Sequence, residues 1–279
     1  MFVIPRDRLP AGFADRVEHP PVPPAEPRPA ATAVLLRDAP AGDAGAAGCE
    51  VLLLQRHHAS GFVPGAYVFP GGRVDEADAA PAAAALLERA LPPAHGPPPE
   101  PPPAFWIAMV REVFEETGVL LAADAAGRPA PDAASEPRLA EWRERLLGAH
   151  AGLVELLEPH GLLPALDDVV YCAHWITPVA EPRRYDTRFF LARLPAARSA
   201  TADAREMTDA LWLTPAEALR RFQEGALPMV FPTVKLLEAL APYASVSAAL
   251  TAFRGRPVLP VLPRLVRTAD GVGIVVDQA

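Results

Sequence analysis

The segment 111–119, REVFEETGV, decides how the rest of the chain is interpreted. Its glutamates Glu112, Glu115 and Glu116 stand at positions i, i+3 and i+4, which share one face of an α-helix. Apolar residues recur at spacings of three and four through 104–118, and a glycine typical of a helix C-terminus closes the run. The sequence therefore predicts a helix over 104–118 with carboxylates along one side.

These clustered carboxylates admit two interpretations. They repel one another, and on this helix only Arg111 can offset them, by pairing with Glu115 four residues later. The segment is either a solvated charge run before a helix cap or a site for a divalent cation. Hard carboxylate oxygens suit Mg²⁺ or Mn²⁺, so the residue chemistry favours the metal site.

The segment 69–78, FPGGRVDEAD, is the second notable stretch. A predicted short strand runs into Gly71 and Gly72, and acidic residues follow up to Asp78. A Pro-Gly-Gly turn alone is a common way to leave a strand. Glycine there also lets a backbone carbonyl approach a metal ion or a phosphate closely.

Together the two segments resemble the Nudix box, G-x5-E-x7-R-E-U-x-E-E-x-G-U, in which U is bulky and apolar. Gly72 and Asp78 match its first half, with Asp in place of Glu, and 111–119 matches its second half at every position. The spacer, residues 79–110, is much longer than the seven residues of the motif. A surface loop tolerates such an insertion because its entropy cost grows only logarithmically with length.

This resemblance implies a Nudix hydrolase, an enzyme that cleaves a diphosphate linked to another moiety with the help of Mg²⁺ or Mn²⁺. It also implies an α+β chain with the Nudix fold, a mixed β-sheet sandwiched between α-helices. The implied metal ligands come from both segments: the Gly71 carbonyl, Glu112, Glu115 and Glu116. The implied catalytic residues are the same three glutamates with Arg111, which orients a glutamate, and Glu206, an acid before a predicted strand. An ordinary surface acid is the alternative for Glu206.

A more specific resemblance lies in the residues around the box. The stretches at 51–75 and 174–194 are similar to a Nudix subgroup with an insertion inside the box, which includes peroxisomal coenzyme A diphosphatases. The implied substrate is a small nucleoside diphosphate derivative, with CoA or acyl-CoA as the best hypothesis, cleaved to 3′,5′-ADP and (acyl-)phosphopantetheine. An ADP-ribose or NADH diphosphatase remains an alternative, and so does a catalytically silent Nudix module that binds a ligand.

Four arginines are candidate ligands for substrate phosphates, because guanidinium groups form paired hydrogen bonds with phosphate oxygens. They are Arg56, Arg183, Arg184 and Arg188, with loop solubility as the alternative role.

The net charge of −8 argues against binding to nucleic acid or acidic membranes. It is compatible with an anionic substrate if cations intervene. No run approaches the roughly 18 apolar residues of a membrane span. The two cysteines, Cys49 and Cys172, form no disulfide framework. A cytoplasmic enzyme is expected, and a homodimer is left open.

The predicted organisation is a proline-rich tail over 1–29 and a Nudix domain over 30–279. The insertion, at about 79–103, is expected to be peripheral to metal binding and replaceable by a short linker with the fold retained. Extra helices are predicted at about 137–161 and 231–255. Strands are predicted at 32–38, 49–56, 169–178 and 186–194, with a hairpin at the C-terminus.

Overall fold

The structure, a computed structural model, describes residues 2–39, 48–60, 63–91, 100–195 and 198–276. Its strands are β1 (Phe2–Pro5), β2 (Arg28–Asp38), β3 (Cys49–Arg56), β4 (Tyr67–Val68), β5 (Gly71–Arg73), β6 (Ala122–Ala123), β7 (Leu163–Pro164), β8 (Val169–Ile176), β9 (Tyr185–Arg193), β10 (Met207–Leu213), β11 (Pro260–Val261), β12 (Arg264–Arg267) and β13 (Gly271–Val275). Its α-helices are α1 (Phe13–Glu18), α2 (Pro81–Ala90), α3 (Pro103–Thr117), α4 (Pro137–Leu147), α5 (Leu153–Leu157), α6 (Pro215–Gln223), α7 (Phe231–Leu240) and α8 (Val246–Phe253).

The central sheet is mixed, and β2 organises it. Its strand order is β10-β3-β2-β9-β8-β11, with β4 added beside β3 and β5 beside β2. Strand β2 runs parallel to β9 and antiparallel to both β3 and β5. It begins at Arg28, four residues before the predicted strand, and its antiparallel partner changes from β5 at Ala30–Thr32 to β3 at Leu36–Asp38. Gly71 and Gly72, which the sequence predicts as a turn, are therefore part of strand β5, which pairs with β2 in this sheet.

Helices cover both faces of the sheet, as predicted. Side chains of β2 alternate between two cores, with Ala33 and Leu35 in the core that includes α2 to α5 and Val34 and Leu36 in the core that includes α6 to α8. Strands that are apolar on both faces suit a sheet buried between two helical layers. The mixed sheet between helices confirms the predicted α+β fold class.

The N-terminal segment is more ordered than the predicted tail over 1–29. Strand β1 pairs with β13, which also pairs with β12, in a separate three-stranded sheet. The Phe2 ring packs against the rings of Phe222 and Phe231, and Phe13 of α1 is buried. The predicted C-terminal hairpin is present as β12 and β13.

Helix α2 of the insertion is part of the core. Ala83, Leu86 and Leu87 of α2 are fully buried in the same core as α3. This packing argues against the expectation that a short linker could replace the insertion with the fold retained. The physical reason is that α2 presents a continuous apolar stripe to the box helix.

We therefore expect Leu86→Ala to lower the free energy of unfolding by about 2–5 kcal/mol, because it leaves a cavity beside α3. Urea denaturation measures the change. The exposed Glu88 on the same helix supplies the control Glu88→Ala, for which little change is expected. Equal, small effects of the two substitutions would show that α2 is dispensable.

Candidate active site

Helix α3 carries the glutamates in a buried environment. Every residue from Phe105 to Thr117 is buried, and Glu112, Glu115 and Glu116 are only 8%, 9% and 4% exposed. The helix ends at Gly118, whose left-handed backbone (φ 74°) lets its N–H donate to the Phe114 carbonyl. A solvated charge run is therefore excluded as the interpretation of this segment.

The two sequence segments are adjacent in space. The Gly71 N–H donates to Glu116 Oε2 at 2.9 Å. A Cβ at Gly72 would lie 2.5 Å from the Glu112 carboxylate, and a Cβ at Gly71 would lie 2.5 Å from the Ala31 carbonyl oxygen. Position 71 consequently requires glycine, a side chain at Gly72 would displace the Glu112 carboxylate, and the strand edge and the helix form one site.

Arg111 connects the two segments. Its Nη1 donates to Glu112 Oε1 at 2.8 Å and to Glu115 Oε1 at 3.1 Å. Its Nε and Nη2 donate to the carboxylate of Asp78, which is 1% exposed, and Nη2 also reaches the Arg73 carbonyl at 2.7 Å. Asp78 therefore anchors Arg111, and Arg111 holds two glutamates, including the predicted partner Glu115.

The site has an excess of buried negative charge. Burial raises the pKa of Glu112 to about 8; Arg111 opposes this shift and Glu115 adds to it. Burial also raises the pKa of Glu115, although the charge of Arg111 acts in the opposite direction. Burial and the charge of Glu112 raise the pKa of Glu116, although the Gly71 N–H and Arg56 act in the opposite direction. Burial acts to lower the pKa of Arg111, but the charge of Glu112 and the contacts with Asp78 outweigh it and raise the pKa.

A further carboxylate, missed by sequence reasoning, lies near this cluster. Asp203 Oδ1 accepts hydrogen bonds from the N–H groups of Arg205 and Glu206. Its Oδ2 is buried and has no hydrogen-bond partner among the residues that the structure describes. The charge of Asp203 contributes to the raised pKa of Glu116. The available signal was an acid three residues before Glu206 in the same loop.

Glu206, the predicted extra acid, has an exposed side chain. Its backbone carbonyl accepts a hydrogen bond from the His57 N–H. Of the two acids, Asp203 is the one whose charge raises the pKa of Glu116.

The four candidate arginines occupy different environments. Arg56 donates to Ser60 Oγ at 2.9 Å, and its charge lowers the pKa of Glu116, so it lies beside the cluster. Arg188 contacts Asp186 and His174 and stacks over the ring of Phe105, near the opposite end of α3 from the glutamates.

Arg183 and Arg184 line a cavity of about 460 Å³, together with Arg28, Glu26 and Tyr185. Arg184 is buried and donates to the Thr177 and Ala25 carbonyls, whereas Arg183 is exposed. Strand β2 leads from Arg28 at this cavity to Thr32, the partner of Gly71. This cavity and the Gly71 edge are thus separated along β2 by four residues of extended strand, which span about 13 Å.

The NUDT19 Nudix domain family matches residues 98–239, just over half of the chain. This chain belongs to the Nudix hydrolase family. The matched range contains the second half of the Nudix box, and the structure joins the first half, at Gly71–Asp78, to it.

Relatives and a solved structure agree with this membership. The chain is 33% identical to the acyl-coenzyme A diphosphatase NUDT19 of Gallus gallus over 71% of this chain and 62% of that protein. It is 31% identical to the acyl-coenzyme A diphosphatase NUDT19 of Homo sapiens over 81% of this chain and 70% of that protein. The crystal structure of a Nudix hydrolase from Alicyclobacillus acidocaldarius superposes with a TM-score of 0.70 at 29% identity, covering 84% of this chain and 99% of that one. The predicted Nudix fold is confirmed.

The donor chemistry of this Nudix site fits a divalent cation. Arg111 pairs with only two of the three buried glutamates, and Asp203 adds a buried oxygen without a hydrogen-bond partner among the described residues, so a cation would relieve uncompensated charge. Within the described ranges, no three acidic, histidine or cysteine groups already converge as a metal site. Arg111 Nη1 lies between oxygens of Glu112 and Glu115. Glu112 and Glu115 would therefore have to exchange a contact with Arg111 for one with the cation in order to hold it.

In the described part of this Nudix hydrolase, no helix has both the length and the hydropathy needed to cross a membrane.

Proposed function

We propose that this Nudix hydrolase cleaves the diphosphate of CoA or an acyl-CoA in a Mg²⁺-dependent reaction. The products would be 3′,5′-ADP and (acyl-)phosphopantetheine. The observation that carries the proposal is the buried cluster of Glu112, Glu115 and Glu116 against the Gly71–Gly72 edge. The chicken and human relatives named acyl-coenzyme A diphosphatases support the substrate class.

In this proposal the three glutamates hold the cation, and the Gly71 carbonyl is a further ligand. When bound, Mg²⁺ neutralises charge on the diphosphate and lowers the pKa of a coordinated water. Arg111 fixes the orientation of Glu112 and Glu115. The water oxygen forms a bond to one phosphorus, the bridging P–O bond breaks, and the bridging oxygen leaves with the other phosphate.

Asp203 is our candidate for the general base, the carboxylate that takes a proton from the attacking water. Its Oδ1 is held by backbone N–H groups, while the buried Oδ2 is available to accept a proton. A carboxylate fixed through one oxygen keeps the other in a defined direction. This replaces Glu206 in the role proposed from the sequence.

We expect Asp203→Asn to lower kcat by about 10²-fold or more, the usual range for loss of a general base. Glu206→Gln is the matched control in the same loop and should leave kcat close to that of the wild type. Asn retains the oxygen that accepts the two backbone N–H groups, so the thermal midpoint should change little. A larger loss of kcat in Glu206→Gln than in Asp203→Asn would return the role to Glu206.

Arg56 and Arg183 are our candidates for contacts with the phosphates of the substrate. Arg56 lies beside Glu116, and Arg183 is exposed in the cavity at the far end of the β2 segment. Arg184 is buried and donates to two backbone carbonyls, and Arg188 contacts Asp186 and His174, so we assign these two arginines to positioning of the chain. The 3′-phosphate of CoA is the group that such a cationic cavity would select.

The test compares specificity constants for acyl-CoA, CoA, dephospho-CoA, ADP-ribose and NADH in saturating Mg²⁺. We expect the highest values for acyl-CoA and CoA, and a smaller preference for CoA over dephospho-CoA in Arg183→Ala. Higher values for ADP-ribose or NADH would favour that alternative. Tight binding without turnover of any compound would identify a silent module.

A further inference from the structure

The C-terminal end of α3 is held from outside the helix. The last carbonyls of a helix have no partners within it and need other donors. Here the Glu115 carbonyl accepts from Arg143 Nε of α4 at 2.8 Å. The Thr117 carbonyl accepts from the Thr201 N–H at 2.9 Å. Two separate elements therefore fix the turn that carries Glu115 and Glu116.

Arg143 joins those two elements. Its Nη2 donates to the Thr201 carbonyl at 2.9 Å, while Nε remains on Glu115. Thr201 stands two residues before Asp203. One guanidinium group thus fixes the end of the box helix and the loop that carries Asp203, whose buried Oδ2 has no hydrogen-bond partner among the described residues.

The position of Arg143 is unusual for a charged residue. On α4 it shares a face with Leu139 and Leu146, both buried, whereas Arg138 on the same helix is exposed. The Gly118 backbone makes room for it, since a Cβ there would lie 3.2 Å from Arg143 Nη1. Burial lowers the pKa of Arg143, and the charges of Asp203, Glu144 and Glu116 oppose that shift.

We infer that Arg143 is a positioning residue that sets the geometry between the glutamates of α3 and Asp203. The inference rests on the proposed function, in which those carboxylates bind the cation and accept the proton. Arg143 acts through the Glu115 and Thr201 carbonyls and does not itself contact the substrate. Lysine cannot replace it fully, because an ammonium group lacks the planar fork that serves two carbonyls at once.

The test compares Arg143→Met and Arg143→Lys with the control Arg138→Met on the exposed side of α4. Four quantities are measured: the Mn²⁺ dissociation constant of the substrate-free protein by electron paramagnetic resonance, kcat and KM in saturating metal, and the thermal midpoint. We expect Arg143→Met to weaken Mn²⁺ binding or lower kcat by about 10–100-fold, as for residues that orient metal ligands. KM should change little, Arg143→Lys should be intermediate, and Arg138→Met should match the wild type.

The outcomes separate the positioning role from a structural one. A lower thermal midpoint with Mn²⁺ affinity and kcat equal to the control would overturn the inference, since only stability would depend on Arg143. If Arg143→Met does not fold, Arg143→Lys decides by the same two constants. If the wild type turns over no diphosphate, the proposed function fails; the Mn²⁺ constants then decide the inference alone, and values equal to the control overturn it.

Discussion

Glu116→Gln should remove most turnover from this Nudix hydrolase while leaving the metal-free protein at least as stable as the wild type. Glutamine keeps an oxygen that can accept from the Gly71 N–H, so the local contact survives. It removes the negative charge that makes a hard cation site favourable. Loss of charge neutralisation and water activation should lower kcat by about 10²–10⁴-fold. Glu115→Gln should behave similarly.

The difference in stability between Glu116→Gln and the wild type, both without metal, should depend on pH. Burial and the charge of Glu112 raise the pKa of Glu116. The contribution of this side chain to the stability of the fold is therefore full below the ordinary pKa of glutamate, and it is lost as the pH rises through the raised pKa. At pH 8 we expect Glu116→Gln to raise the free energy of unfolding, because the variant has no carboxylate to ionise in the buried site. Near pH 4 the difference should vanish.

The measurements are kcat at saturating Mg²⁺ and thermal unfolding in the presence of a chelator. Glu88→Gln, an exposed substitution on α2, is the control for both. Near wild-type kcat in Glu116→Gln would remove Glu116 from the metal site. Lower stability at pH 8 would mean that the glutamate has a structural role.

Arg111→Met should have the opposite effect on stability. Arg111 is the cation that contacts Asp78, Glu112 and Glu115, and all three are buried. Removing one partner of a buried ionic network leaves charges uncompensated, and this costs about 3–5 kcal/mol. We expect a loss of that size at pH 8 in the free energy of unfolding.

The loss should shrink as pH falls. Arg111 lowers the pKa of both Glu112 and Glu115, so its removal raises both values further. The glutamates then stay protonated up to a higher pH than in the wild type, so at pH 5 they carry less unpaired charge and part of the penalty disappears. Urea denaturation at pH 5 and pH 8 tests this, with Arg138→Met as the exposed control. A loss that is small, or the same at both pH values, would contradict the role of Arg111 as the central cation.

Local patterns predicted the elements of the site well. The helix predicted over 104–118 is α3, Pro103–Thr117, because its periodicity and terminal glycine are local signals. The extra helices appear as α4, α5, α7 and α8. The pairing of Arg111 with Glu115 also followed from helix geometry alone.

Features that depend on distant contacts escaped prediction. Strand β1 forms because it pairs with β13 at the other end of the chain, and a proline-rich composition gave no sign of it. The glutamates are buried against the Gly71–Gly72 edge and Arg111, and the periodicity of the helix does not specify this packing. Even within one loop, the backbone hydrogen bonds that hold Asp203 Oδ1 were not evident from the sequence.

The arginines show a similar limit. Sequence composition grouped Arg183, Arg184 and Arg188 as one cationic stretch, but the structure gives them separate partners. Which side chains reach a shared space depends on the strand ends and on the N-terminal segment that crosses them.

The most direct test of the central claim is identification of the products by mass spectrometry after incubation with an acyl-CoA and Mg²⁺. Our account predicts equal amounts of 3′,5′-ADP and acyl-phosphopantetheine from the wild type, and almost none from Glu116→Gln. Release of free CoA and a fatty acid, or intact acyl-CoA after prolonged incubation with the wild type, would contradict it.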